Sequence, residues 1–198
     1  MANARYSDLQ LDALRELANI GSGTAGTALS SLLGCPIELS VPSASALELA
    51  DAVEAAGEAG DVVWGVVVPV CGHVDATALL VIPEADAATI CAMLGVDPDT
   101  DTGRSALGEI GNIMVSSYVG ALATMTGFEL DLRPPQSTRD MRGAVVSSVL
   151  ASHSDEQELA LVLDSELEVA GEACTLSFML LPTPAGVAEL LHRIGLGD

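Results

Sequence analysis

The sequence predicts an α/β fold of α+β character, built from duplicated halves related by a pseudo-two-fold axis. Each half is expected to run helix, strand, helix, strand, strand, helix, giving an antiparallel-rich sheet covered by long helices. Three observations carry this. A helix-starting pattern occurs twice, two long segments have helical apolar spacing, and two pairs of β-branched runs each flank a short turn. The first copy of the pattern is Asp12-Ala-Leu-Arg-Glu16-Leu-Ala-Asn19-Ile20 and the second is Ser105-Ala-Leu-Gly-Glu109-Ile-Gly-Asn112-Ile113, at an offset of 93 residues. At that offset Leu14 falls on Leu107, Ala28 on Ala121, Leu29 on Leu122, Gly34 on Gly127 and Pro42 on Pro135. One gap-free offset with aligned matches indicates a duplication.

The elements follow in order. Ser7 caps an amphipathic helix carrying Leu9, Leu11, Leu14, Leu17 and Ile20, which continues through Leu33 and ends at Gly34. Residues 36–41 read as a short strand and 46–56, with Leu47, Ala50 and Val53 at helical spacing, as a short helix. Residues 62–70 and 74–82 read as a hairpin around Cys71-Gly72-His73, followed by a helix over 84–94 that ends at Gly95. An acidic linker over 96–103 joins the halves, and Ser105 is expected to open the second long helix, which ends at Gly127. The second half then repeats the series: a strand over 128–132, a helix over 139–152, a hairpin of 158–170 with 174–181, and a closing helix over 184–194. The whole of residues 1–198 is thus expected to be one domain made of two repeats, about 7–95 and 104–195.

Composition limits the function. Hydrophobic residues make up 49% of the chain and aromatics 3%, so the core should be mostly Ala, Val and Leu. The 28 acidic and 7 basic residues give a net charge of -21, and all the basic residues are Arg. That balance excludes nucleic acid and anionic membrane as partners, because attraction to phosphate needs clustered positive charge. Cys35, Cys71, Cys91 and Cys174 are far apart and read as small core residues, while His73, His153 and His192 are equally scattered. No metal or cofactor site follows from them. Neither a signal-peptide core nor a membrane-length apolar run is visible, and a cytoplasmic protein is expected.

Glu and Asn three residues apart share a helix face, with Asp12 or Ser105 one turn earlier on that face. An Asn inside a helix commonly bonds to nearby backbone, but here the Glu-Asn pair is kept in both halves while Arg15 faces Gly108. Nothing beside it would activate a nucleophile, and one carboxylate does not make a glycosidase pair. A carboxamide can hold a water by donating and accepting hydrogen bonds, and a nearby Glu can grip a cation on a docked partner. The run Gly21-Ser22-Gly23-Thr24-Ala25-Gly26 spells a dinucleotide motif, but it lies inside a helix, and its small residues Ser22, Gly23, Gly26 and Ser30 more simply let another helix approach.

Asp or Ser, three residues, Glu, two residues, Asn, twenty-two residues and Pro is a spacing both copies satisfy, at Asp12, Glu16, Asn19, Pro42 and at Ser105, Glu109, Asn112, Pro135. In this the chain resembles the CheC family of chemotaxis phosphatases, with CheX and FliY, and most of all the two-site CheC type. The resemblance covers essentially the whole chain and makes it a CheC-like domain. It implies hydrolysis of the aspartyl phosphate of the response regulator CheY, with Asn19 and Asn112 orienting water and Glu16 and Glu109 pairing with a lysine of the regulator. Asp12 and Ser105 support them. The resemblance places the Mg²⁺ on CheY and none in this chain, and implies CheD as a second partner. The alternative it leaves is a non-catalytic adaptor that binds phosphorylated CheY and regulates CheD.

An acidic, Lys-free chain also suggests adaptation to high salt, where mutual repulsion is screened; an acidic protein from a GC-rich genome is the other explanation. Adaptation predicts a melting temperature that rises from dilute to molar salt, and equal stability across the series would remove it.

Overall fold

The computed structural model describes residues 7–39, 43–48, 51, 57–151, 159–169, 172–193 and 195. Helix α1 spans Asp8–Leu33. Ser7 caps it: its Oγ accepts from the Gln10 backbone N–H, and the Gln10 side chain accepts from the Ser7 N–H. Helix α3, Asp101–Thr126, starts in the corresponding place, with the Thr100 hydroxyl accepting from Gly103 N–H at 3.1 Å. Both helices stop on a left-handed glycine, Gly34 at φ 70° and Gly127 at φ 71°. The N–H groups of these two glycines return to Ser30 and Ala123 carbonyls. The cap pair and the stop pair thus hold the same 93-residue offset as the motif.

Eight strands form one sheet. They are β1 Ile37–Leu39, β2 Ser43–Glu48, β3 Val62–Gly72, β4 Ala76–Pro83, β5 Leu130–Leu132, β6 Gln136–Met141, β7 Leu159–Val169 and β8 Glu172–Pro182. Its order is β1-β7-β8-β4-β3-β5, with β2 also on β7 and β6 also on β3, and every pairing is antiparallel. Exchanging the halves turns this order into its own reverse. The pseudo-two-fold therefore passes between β4 and β8, where Leu80 lies opposite Phe178.

Strand alternation sorts side chains between two layers. Trp64, Val66 and Val68 of β3 with Ala78, Leu80 and Ile82 of β4 belong to the core under α1 and α3. Val63, Leu79 and Val81 instead meet Val145, Val146 and Val149 of helix α4, Arg142–Ala151, on the other face. Helices α2, Glu84–Met93, and α5, Pro184–Arg193, add Ala87, Ile90 and Leu190 to the first layer. The aromatics, few as they are, concentrate there, with Trp64, Tyr118 and Phe178 among the largest fully buried side chains. Among the described residues no helix is long and apolar enough to cross a membrane.

Three expectations need correction. The helices expected over 46–56 and 139–152 begin too early, because 43–48 and 136–141 are strands. These strands are polar or Ala-rich and lie outermost on β7 and β3, so they never needed the β-branched runs of central strands. In the second half the helix follows from Arg142; in the first, only Asp51 of residues 49–56 is described, and it is helical. Each half thus holds one more strand than the sequence reading allowed. The linker is also shorter than expected: residues 101–104 are already helical, and Thr100, not Ser105, sits at the helix start. A turn precedes them in which Asp97 accepts from Thr100 N–H and hydroxyl and from Asp99 N–H. Finally, Cys91 and Cys174 are buried, but Cys35 and Cys71 are only half-buried. Burial, and then the Asp97 charge, push the Cys91 thiol pKa up.

The contact of α3 with the sheet depends on a bare backbone. A Cβ at Gly111 would lie 2.5 Å from Val66 Cγ1, whereas one at Gly120 would meet nothing within 4 Å. Gly111→Ala should therefore destabilise the protein by about 1–3 kcal/mol. Gly120→Ala, on the exposed side of the same helix, should stabilise it by roughly 0.5–1 kcal/mol. Urea denaturation checks both, and equal effects would mean that α3 does not sit on β3 as described.

Candidate functional site

The two long helices pack on each other through Tyr118. Its ring lies over Gly21, where a Cβ would come 2.4 Å from Tyr118 Cδ1, and its hydroxyl hydrogen-bonds to Ser22 Oγ at 2.9 Å in a buried position. The same ring stacks on Phe178 with centroids 4.6 Å apart, which ties both helices to β8. The small residues of the Gly-Ser stretch accordingly divide their work. Gly21 and Ser22 admit the other helix, while Gly26 and Ser30 face β1, where Ser30 Oγ accepts from Ile37 N–H at 3.0 Å. Gly23 points into open space. The helix approach expected of all four small residues therefore holds at Ser22 alone.

This packing turns the repeated polar residues outward. On α3 the apolar side is Leu107, Ile110, Met114 and Tyr118, all buried, and Ser105 and Glu109 lie exposed opposite them with Asn112 half-buried at the border. On α1, Asp12 and Glu16 are likewise exposed and Asn19 is half-buried. Each Glu therefore reaches into solvent while its Asn is partly walled in by the helix layer. Asn19 Oδ1 is itself buried and has no hydrogen-bond partner among the described residues. The bonding to nearby backbone weighed for this Asn is thus not how its oxygen is used. Ile20, next to it, is 43% exposed, so an apolar side chain borders the pair on the solvent side.

The Pro of the motif has a packing role. Strand β5 pairs with β3 over Leu130–Leu132, and β6 resumes on β3 at Gln136 after Pro134 and Pro135. The break occurs where neither proline could donate to the ladder, and Arg133 N–H bridges it to the Pro69 carbonyl at 2.9 Å. The interrupted edge brings Pro135 and Ser137 against α3. There they line an open depression of about 450 Å³ with Asp101, Arg104, Ser105, Gly108 and Glu109. Pro42 lies outside the described residues. Of these lining residues, Asp101, Arg104 and Ser137 were not singled out from the sequence. The signal that pointed here was Gly108 standing opposite Arg15.

Around this depression Asp101 holds the Arg104 guanidinium at 3.1 Å. Farther along, Arg139 on β6 pairs with Glu84 at the start of α2 and with Asp99 at 3.5 Å; the Glu84 hydrogen bond and charge, with Asp99, raise its pKa. Among the described residues Glu16 and Glu109 make no ion pair, so both carboxylates are available to a cation from outside. No cluster of three or more His, Cys, Asp and Glu able to hold a metal ion occurs among the described residues. What the arrangement offers chemically is a free carboxylate beside a carboxamide of restricted mobility, twice.

Residues 9–45 and 103–139 match the CheC-like family, so each half matches separately and each match contains its own Glu-Asn pair. The CheY-P phosphatase CheC of Bacillus subtilis is 33% identical over 166 residues, which cover 80% of this chain and 79% of that protein. Among solved structures, Thermotoga maritima FliY superposes with a TM-score of 0.74 at 19% identity, over 98% of this chain and all of that one. A chain in the crystal structure of the CheX–CheY–BeF3–Mg²⁺ complex of Borrelia burgdorferi gives 0.52 at 17% identity, over 82% of this chain and 96% of that one. At such identities the two solved structures speak for the fold alone.

Proposed function

The chain belongs to the CheC-like family, and from that premise we propose that it hydrolyses the aspartyl phosphate of CheY at two sites, one on each long helix. The observation that carries this is the repeated pair: Glu16 with Asn19 and Glu109 with Asn112, each with the Glu exposed and the Asn half-buried, each inside its own family match. An acyl phosphate is already activated, and its hydrolysis needs chiefly a water placed in line with the bond that breaks. The carboxamide of Asn19 or Asn112 does this by accepting from the water or donating to it. Partial burial limits the rotamers each amide can adopt, which lowers the entropy cost of holding that water. Glu16 and Glu109 take the regulator's lysine, and Asp12 and Ser105 border the contact. The water oxygen bonds to phosphorus, the bond to the aspartyl oxygen breaks, and carboxylate and inorganic phosphate leave. Mg²⁺ is the regulator's own and this chain supplies no cofactor. The reading extends to CheD as a second partner on a surface away from these helices, and to the cytoplasm as the place of action.

The test is the decay of phosphorylated CheY at saturating concentration, in molar salt, with wild type, Asn19→Ala, Asn112→Ala and the double variant. Independent sites predict that each single change removes roughly half of the acceleration. The double variant should return decay to the regulator's own rate while still binding it. Persisting acceleration in the double variant would overturn the site assignment.

A further inference from the structure

Five large hydrophobic side chains are exposed among the described residues: Leu9, Ile20, Val62, Met125 and Met141. Val62 and Met141 face each other across β3 and β6, and Met125 lies at the far end of α3. Leu9 and Ile20 differ from these, because both stand on α1 in line with Glu16. At about 3.6 residues per turn, Leu9, Glu16, Ile20 and Thr27 fall within roughly 20° of one line along the helix, with Asp12 and Gly23 beside it. All of these residues are exposed. Along that line Leu9 lies about 10 Å from Glu16 on one side and Ile20 about 6 Å from it on the other.

Exposed apolar residues scattered singly need no explanation. Ile20 is not of that kind. It belongs to neither core cluster, and a β-branched residue is a weaker helix former than Ala, Leu or Glu. Yet the duplication keeps it: at the 93-residue offset Ile20 falls on Ile113, again directly after the motif Asn. Ile113 is half-buried and rests partly on the core, while Leu9 falls on Thr102. The apolar residue that both halves retain is the one bordering the Glu-Asn pair.

Resting on the reading that the regulator's lysine meets Glu16, we propose that Ile20, with Leu9 at the other end of the row, is the apolar anchor by which α1 docks phosphorylated CheY. The occupant is the regulator's surface around that lysine, which is apolar where Ile20 and Leu9 meet it. Charge complementarity puts it there, since Asp12 and Glu16 lie between the two anchors and attract a lysine. Covering Ile20 removes water from beside the Glu16 pair and so strengthens the attraction. The anchor also supplies a contact that survives salt, because an exposed ion pair is screened at molar ionic strength and apolar burial is not. On α3, Ile113 takes the same place.

Titration calorimetry with CheY activated by BeF3⁻ and Mg²⁺ tests this on the Glu109→Arg chain, which keeps only the α1 site. Ile20→Ala should raise Kd about tenfold and Leu9→Ala about threefold, with Ile20→Val within about twofold of the parent. Ala is the best helix former, so these exposed positions tolerate it without loss of the fold. The loss from Ile20→Ala should be the same in dilute and molar salt, whereas the loss from Glu16→Gln should shrink. In the Glu16→Arg chain, which keeps only the α3 site, Ile20→Ala should change nothing, which a merely structural role would not allow. An unchanged Kd in Ile20→Ala, an equal loss in the Glu16→Arg chain, or a loss that disappears in molar salt would overturn the proposal. So would a dimer of this chain that Ile20→Ala dissociates. A chain that binds through Ile20 but hydrolyses nothing bears out the anchor and removes only the phosphatase reading.

Discussion

Tyr118 of α3 touches two other elements at once, α1 and β8, and the outward face of both long helices depends on it. Its ring rests on the bare backbone of Gly21, its hydroxyl reaches Ser22, and the ring also stacks on Phe178. A buried hydroxyl without a partner costs about 1–3 kcal/mol, so the bond to Ser22 restricts how α1 and α3 can rotate against each other. Phe178 lies opposite Leu80 where β4 meets β8, the junction of the two halves. One aromatic side chain therefore links helix–helix packing to the line along which the duplicated halves join. With that packing fixed, the helical period decides what remains exposed: Glu16 on one helix and Glu109 on the other.

The broken edge strand has a similar standing beside α3. Pro134 and Pro135 interrupt the ladder between β5 and β6, and the detour presses Pro135 toward Gly108. A motif proline far in sequence from the chemistry thus shapes the wall of the depression next to Glu109. Gly108, which has no side chain, lines that depression facing Ser137 and Pro135. On the proposed reading, very few polar atoms carry the chemistry, and most of the repeated sequence serves to place them.

Much of this was legible in the sequence because it was written in local signals. Caps, stop glycines and the apolar stripes of α1 and α3 are read by neighbours within four residues, and the hairpins by β-branched runs. The Glu-Asn pairs were visible because the duplication kept them and changed their surroundings. What misled was non-local. Ser43–Glu48 and Gln136–Met141 are strands only because β7 and β3 offer them a ladder, and their own composition favours no strand. The early start of α3 was hidden because an acidic stretch with a proline looks like a linker, although Asp97 and Thr100 fold it into a cap. The division of the small residues of α1 between a helix and a strand depends on which neighbour lies over each, which only the assembled layers show.

The central claim is that one chain carries two working copies of one site. Its most direct test is the stoichiometry with which the chain binds CheY locked in its phosphorylated form by BeF3⁻ and Mg²⁺, measured by titration calorimetry in molar salt. The account predicts two regulators per chain, and one per chain once Glu109→Arg reverses the charge of the α3 site. A single regulator bound to the unaltered chain would contradict it.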